Sequence, residues 1–366
     1  MKVLMTVDAV GGVWTYALEL SRALAHHDVR VVLACMGPAP SESQLASAHA
    51  LPNVALWWCD CKLEWMNDPW QDVERAGDWL LRLAERERAD LVQVNGYVHA
   101  ALPWHRPVIC VAHSCVCSWW QAVHRCNAPA EWQTYRERVS TGLNRADCIV
   151  APTQAFLESI LELYRPTRRT LVIRNGLAPG SGNRPRVQRL PVIFASGRVW
   201  DRAKGIDVLD AATRDLPWRS YVAGPATGPD GVRAPLKSLR TLGTLTADDL
   251  HSWLRRAAIF AHPARYEPFG LGVLEAALGG CALVLADLPT LRELWQDAAL
   301  FVPVDDAWTL RRTLQRLIAD PESVAVLGNA SSARAQRFRP ESMAASYVAL
   351  YRELLGRSQP RAREVA

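Results

Sequence analysis

Short apolar runs punctuate the chain, and between them apolar positions recur at helical spacing. The first segment reads as strand KVLMTV, glycine turn DAVGG, a helix from about Val13 to Ala25, and strand VRVVLAC, which makes a βαβ unit. Further buried-strand runs follow at LVQVN (91–95), PVICVA (107–112), CIVAP (148–152) and TLVIRN (170–175). GLAPGSGNRPRVQRLP, Gly176 to Pro191, then concentrates Gly, Pro and Arg without apolar periodicity, as an interdomain linker does. The alternation restarts with VIFAS, the loop GRVWDRAKG, a helix, SYVAG, a helix near Asp248 to Arg256, AIFAHP and a helix opening near Leu271. ALVLA and ALFVP continue it to about Arg337. A last helix, about Glu341 to Leu355, repeats Met343, Tyr347, Leu350, Tyr351 and Leu354 on one face, and the final RSQPRAREVA reads as a frayed tail.

The pattern predicts an α/β protein of two Rossmann-like, doubly wound domains, residues 1–178 and 179–340, facing each other across a cleft, with residues 341–366 as a closing helix and tail. A length of 366 residues agrees, since single cores rarely grow that large. Apolar content of 49% and charged content of 22% are those of an ordinary globular chain. No apolar run reaches the ~18 residues of a membrane span and no signal-peptide layout opens the chain, so a cytoplasmic location is expected. Nine cysteines are scattered without a framework spacing and are read as reduced. The formal charge of +5, spread without a Lys/Arg block, does not argue for nucleic acid; an acidic small ligand or the anionic inner face of a membrane suits it equally.

In open α/β sheets ligands bind beyond the carboxyl ends of the strands. Gly11 and Gly12 follow the first strand, where they serve either as a tight turn or as amides approaching an anion or sugar. The third glycine of a dinucleotide fingerprint is missing, and strand two ends in Cys35-Met36-Gly37 without an acidic ribose ligand, which demotes a nicotinamide oxidoreductase. GRVWDRAKG carries Arg198 and Lys204 beside a helix start; the pair is either a solvated basic loop or a diphosphate clamp. In ARYEPFGLGVLEA, Glu267 lies after a strand and Glu275 about one turn into the next helix, with the amides of Phe269, Gly270 and Leu271 at its opening. Ionised carboxylates accept from paired hydroxyls, so that spacing suits vicinal diols of a sugar. His113, at the end of PVICVA, is a candidate for the sugar or the acceptor.

These pieces, in order, resemble family 4 of the retaining glycosyltransferases, which have the GT-B fold. The resemblance rests on GGVWTYALEL, VAHS, RADCIVAPTQAF, VIRNG, GRVWDRAKG, LGTLTADDL and PARYEPFGLGVLEA with its E-x7-E spacing. It implies that Arg198 and Lys204 bind the donor diphosphate, Glu267 the transferred sugar and Glu275 the ribose. By the same resemblance Gly12 and His113 close the site, Leu242, Gly243 and Leu245 lie against the nucleobase, and the closing helix crosses back to the first domain. The implied partners are a nucleotide-sugar donor and a glycan or lipid-linked acceptor, with no cofactor and no metal, since the chain lacks Asp-x-Asp.

Ala264 stands where many members carry serine. Ten of the fifteen tryptophans lie within the first 132 residues; core packing, acceptor stacking and membrane contact all account for such residues, and Trp119 and Trp120 are the acceptor candidates. Cys115, Cys117, His124 and Cys126 do not have the spacing of a common zinc site. The competing readings are a nucleotide-sugar epimerase or hydrolase of the same fold, and a non-catalytic nucleotide-binding scaffold in a polysaccharide assembly complex.

Overall fold

A computed structural model describes residues 1–179, 188–228 and 231–358. The chain divides into two compact units. Unit 1 holds Met1–Ser118, Asn127–Gly176 and the chain from Arg339 on; unit 2 holds Trp119–Cys126 and Leu177–Phe338.

Unit 1 is built on a seven-stranded, all-parallel sheet of β1 (Lys2–Asp8), β2 (Arg30–Met36), β3 (Val54–Cys59), β4 (Leu91–Val94), β5 (Val108–Val111), β6 (Cys148–Ala151) and β7 (Arg169–Val172). Their order is β3-β2-β1-β4-β5-β6-β7, so the direction of winding reverses between β1 and β4. The central strands are covered on both faces and are near-continuous apolar runs, as parallel strands must be. The edge strand VALWWC of β3 is not among the strands expected from the sequence, its tryptophans counting there as aromatic contacts; Ala55 and Trp58 are exposed on it.

The first helix, Gly12–Leu24, starts one residue earlier than the pattern suggests. It packs against the closing helix, Pro340–Ser358, which lies in unit 1. That helix runs past the expected Leu355 and takes in the first two residues of the expected tail; residues 359–366 lie outside the described residues. Its Met343, Tyr347, Leu350, Tyr351 and Leu354 are all buried, as the periodicity predicts.

Unit 2 has a six-stranded parallel sheet of β8 (Leu190–Ser196), β9 (Arg219–Ala223), β10 (Arg240–Thr241), β11 (Ala257–His262), β12 (Ala282–Ala286) and β13 (Leu300–Val302), ordered β10-β9-β8-β11-β12-β13. Winding reverses between β8 and β11. One core lies on each face: Phe194, Phe260, Leu274 and Trp295 anchor the first, Ile193, Leu209, Ile259 and Val284 the second. β8 begins at Leu190, inside the stretch read as linker, and residues 180–187 of that stretch lie outside the described residues.

Candidate functional site

The carboxyl edge of the unit 2 sheet is paved with glycine. Gly197 follows β8, Gly224 follows β9 and Gly243 follows β10, with φ of +143°, +134° and +69°. Gly197 N–H donates to the Ala223 carbonyl at 2.9 Å and Gly224 N–H to the Gly243 carbonyl at 2.8 Å. A Cβ on Gly224 would stand 1.9 Å from the Gly197 oxygen, so no other residue fits there. The result is bare backbone at the place where a ligand of an open α/β sheet lies.

The loop after Gly197 is rigid for reasons visible in its side chains. Asp201 is buried; its Oδ1 accepts from Ala203 N–H at 2.9 Å, capping the turn Arg202–Lys204. Its Oδ2 accepts from Arg198 Nη2 at 2.7 Å and Nε at 3.2 Å. Gly205 follows in the left-handed region at φ +63°, where a Cβ would meet the Pro263 oxygen at 1.9 Å. Arg265, which the sequence reading passed over, clamps this turn: only 8% exposed, it donates to Arg202 O, to both oxygens of Asp207 and to Asp305. Its own N–H reaches Ala203 O at 2.8 Å.

So held, Lys204 meets Glu267. Lys204 Nζ donates to Glu267 Oε2 at 2.7 Å, and His262 Nε2–H donates to the same oxygen at 3.0 Å. Thr290 Oγ1 donates to the Glu267 carbonyl at 2.6 Å, fixing the backbone. Burial alone raises a carboxyl's pKa, but the Lys204 charge and the His262 hydrogen bond outweigh it and hold Glu267 far below the usual range. The carboxylate is therefore ionised, and its Oε1 accepts no hydrogen bond among the described residues. His262 was missed because its strand, AIFAH, reads as core, and the residue is indeed 4% exposed. The signal was its position as the last residue of that strand.

The helix Leu271–Leu278 has Gly270 as its N-cap, φ +87°, and its first bond runs from Leu274 N–H to Gly270 O at 3.0 Å. Within the helix the amides left unused are therefore those of Leu271, Gly272 and Val273, of which Leu271 belongs to the expected Phe269–Leu271 set. The Phe269 side chain is 4% exposed and packs edge-on against Phe338 at 5.9 Å, which leaves its backbone rather than its ring at the helix opening. Glu275, one turn into the helix, is half-buried. Leu242, Leu245 and Leu271 pack, partly exposed, on one core cluster, so Gly243 and its neighbours lie at the same sheet edge as the helix start.

In unit 1, Gly11 is an extended N-cap and Gly12 the first residue of the helix, both exposed. His113 follows β5 with Nε2 3.2 Å from Asn95 Oδ1 and the Tyr16 ring edge-on at 4.5 Å. Burial pushes its pKa down to about 3, so the imidazole is neutral near pH 7. Trp119 and Trp120, on the helix Val116–His124, belong to unit 2. Their rings meet edge to face at 5.8 Å and lie 5.4 and 4.3 Å from the His124 ring.

Among the described residues no helix is long and apolar enough to cross a membrane. Two family descriptions match the chain: Glycosyltransferase Family 4 over residues 10–181, and Glycosyl transferases group 1 over residues 190–320. A D-inositol 3-phosphate glycosyltransferase of Streptomyces bingchenggensis is 32% identical over 30% of this chain, a match that spans only 25% of that protein. Another of that name, from Xylanimonas cellulosilytica, is 26% identical over 97% of this chain and 94% of its own. Among solved structures, Anabaena HepE in complex with UDP-glucose superposes with a TM-score of 0.74 at 19% identity, covering 97% of this chain and all (100%) of that one. The two parallel sheets are those of the doubly wound domains that the strand pattern predicts, in the GT-B fold that the family resemblance implies.

Proposed function

From the premise that this chain belongs to glycosyltransferase family 4, glycosyl transferases group 1, we propose that it transfers a sugar from a nucleoside diphosphate sugar to a glycan or lipid-linked acceptor. Transfer proceeds with retention and without a metal. The observation that carries this reading is the buried, ionised Glu267 with one oxygen held by Lys204 and His262 and the other open to a hydroxyl.

The chemistry follows from the charges. Breaking the anomeric bond moves negative charge onto the departing diphosphate, and cations aimed at it lower the barrier. Arg198 supplies a planar fork, of which Asp201 occupies two donors, and Lys204 a point charge with two protons beyond the one on Glu267. The Leu271–Val273 amides add the positive end of a helix. Glu267 Oε1 accepts from the transferred sugar and Glu275 from the ribose, while Gly243, Leu242 and Leu245 border the base. His113 and Gly12 are assigned to the sugar or the acceptor. Attack comes from the leaving-group face, with a phosphate oxygen taking the acceptor proton. The relatives support donor and acceptor classes alike: HepE is complexed with UDP-glucose, and a Komagataeibacter xylinus relative is named as a mannosyltransferase acting from GDP-mannose on a diphosphopolyprenol.

The test is thermal stability against uridine, guanosine and adenosine diphosphates and their sugar conjugates, with chelator present. A ligand at a hundred times its Kd stabilises by about 2.7 kcal/mol. One nucleotide series is expected to raise the midpoint, and Arg198→Ala to erase the rise. If no nucleotide moves it, the proposal fails.

A further inference from the structure

Unit 1 contains a buried hydrogen-bonded chain whose direction can be read from one end. Thr6, on β1, offers its carbonyl to Asn95 Nδ2 at 2.8 Å and its Oγ1 to Asn95 N–H at 2.8 Å. A carbonyl only accepts, so the Asn95 amide nitrogen must face Thr6 and its Oδ1 must face away. That oxygen lies 3.2 Å from Gln93 Nε2 and 3.2 Å from His113 Nε2. Gln93, fully buried on β4, therefore presents its nitrogen to Asn95 and to the Tyr16 hydroxyl at 3.0 Å, and its oxygen accepts from the Tyr351 hydroxyl. Tyr16 in turn donates to Tyr347 at 2.6 Å. Both tyrosines at the far end stand on the closing helix.

We infer that Asn95 is a positioning residue that fixes His113 in the Nε2–H tautomer, so that the imidazole offers Nδ1 as a hydrogen-bond acceptor toward the sugar. The inference rests, for its functional half, on the assignment of His113 to the sugar site. Asn95 Oδ1 can only accept, so the proton between it and His113 sits on Nε2. Nδ1 makes no hydrogen bond among the described residues, which leaves its lone pair for a ligand. The ring cannot escape by protonating, because burial keeps it neutral. Nor can the amide turn over: that would set its NH2 against the Gln93 Nε2 donor and its oxygen against the Thr6 carbonyl. A hydroxyl donating to Nδ1 fits this site, and a carboxylate or phosphate oxygen does not.

Nitrogen-15 labelled histidine distinguishes the tautomers directly in the unliganded protein, with His113→Gln supplying the assignment. The expected wild-type spectrum shows His113 protonated at Nε2 and bare at Nδ1 near pH 7, and Asn95→Ala is expected to mix the tautomers. A wild-type ring protonated at Nδ1, or an Asn95→Ala spectrum identical to wild type, overturns the inference; the wild-type spectrum decides even where the variant does not fold. In the transfer assay with UDP-glucose, Asn95→Ala should raise the donor KM about tenfold while inhibition by UDP stays unchanged. An intact tautomer shift with unchanged KM removes His113 from the sugar site and leaves the tautomer assignment standing.

Discussion

Replacing Lys204 by alanine puts the central ion pair to a quantitative test. In the folded chain the Glu267 side chain is 12% exposed and Lys204 Nζ lies 2.7 Å from it, so the pair is well shielded from water. Two unit charges 4 Å apart attract by about 4 kcal/mol at an effective dielectric of 20. Removing one partner of a buried pair costs about 3 to 5 kcal/mol, because the remaining charge is left uncompensated. Lys204→Ala should therefore lower the unfolding free energy by about 3 kcal/mol, and the midpoint of a unit this size by about 6 to 12 °C. The loss must depend on pH. Glu267 is depressed in the wild type, so its contribution is complete above the unfolded carboxyl pKa, about 4.3, and fades only as pH falls toward the folded value below it. In the variant burial is no longer opposed by Lys204, the carboxyl takes up a proton as pH falls, and the strain is relieved. Urea denaturation of both proteins at pH 7 and pH 4 should show the deficit narrowing in acid. The double variant Lys204→Met, Glu267→Gln should lose less than the two single changes summed. An equal deficit at both pH values, or one below about 1 kcal/mol, refutes the pairing as the source of Glu267's ionisation.

Other outcomes follow from the same geometry. Gly224→Ala places a Cβ 1.9 Å from the Gly197 oxygen at φ +134°, so it should cost more than the usual ~1 kcal/mol of a glycine change and abolish nucleotide-dependent thermal shifts. Glu64 accepts from Tyr97 and Val98 N–H groups and is pushed by burial up to about 7; a raised acid favours the fold below its unfolded pKa, so the wild type should lose stability between about pH 4.5 and 7 relative to Glu64→Gln, measured by urea denaturation. His113 is lowered to about 3, which destabilises the fold as pH falls below about 6.5; His113→Gln should reduce that acid sensitivity. Transfer activity should survive a chelator, and activity lost in chelator and restored by a divalent ion would contradict the metal-free proposal.

How much of this was legible in the chain depends on how local the cause is. The parallel strands announce themselves as apolar runs because both their faces are buried; β3, VALWWC, is such a run too, but Ala55 and Trp58 are exposed and its tryptophans read as aromatic contacts rather than as a strand. Arg198, Lys204 and Glu267 stand out as charges after strands, yet the direct contact of Lys204 with Glu267 joins residues 63 apart and has no local signature. His262 and Arg265 hid inside motifs read for their neighbours. Gln93 and Asn95 interrupt an apolar strand, a local sign of buried partners, but the tyrosines that bond Gln93 lie 77 and 258 residues away. The helix opens at Leu271, as its sequence suggests, but that Gly272 and Val273 join Leu271 as unused amides depends on Gly270 being its N-cap.

The place of the closing helix has a consequence for the order in which a ribosome can finish the molecule. Gln93 emerges 258 residues before Tyr351, its acceptor-side partner. At 5 to 20 residues per second, synthesis separates the two by about 13 to 50 seconds. Throughout that interval the nascent first sheet carries an amide without its tyrosine, while the whole of unit 2 is translated before the closing helix begins at Pro340. The half of the protein made first is thus the half completed last.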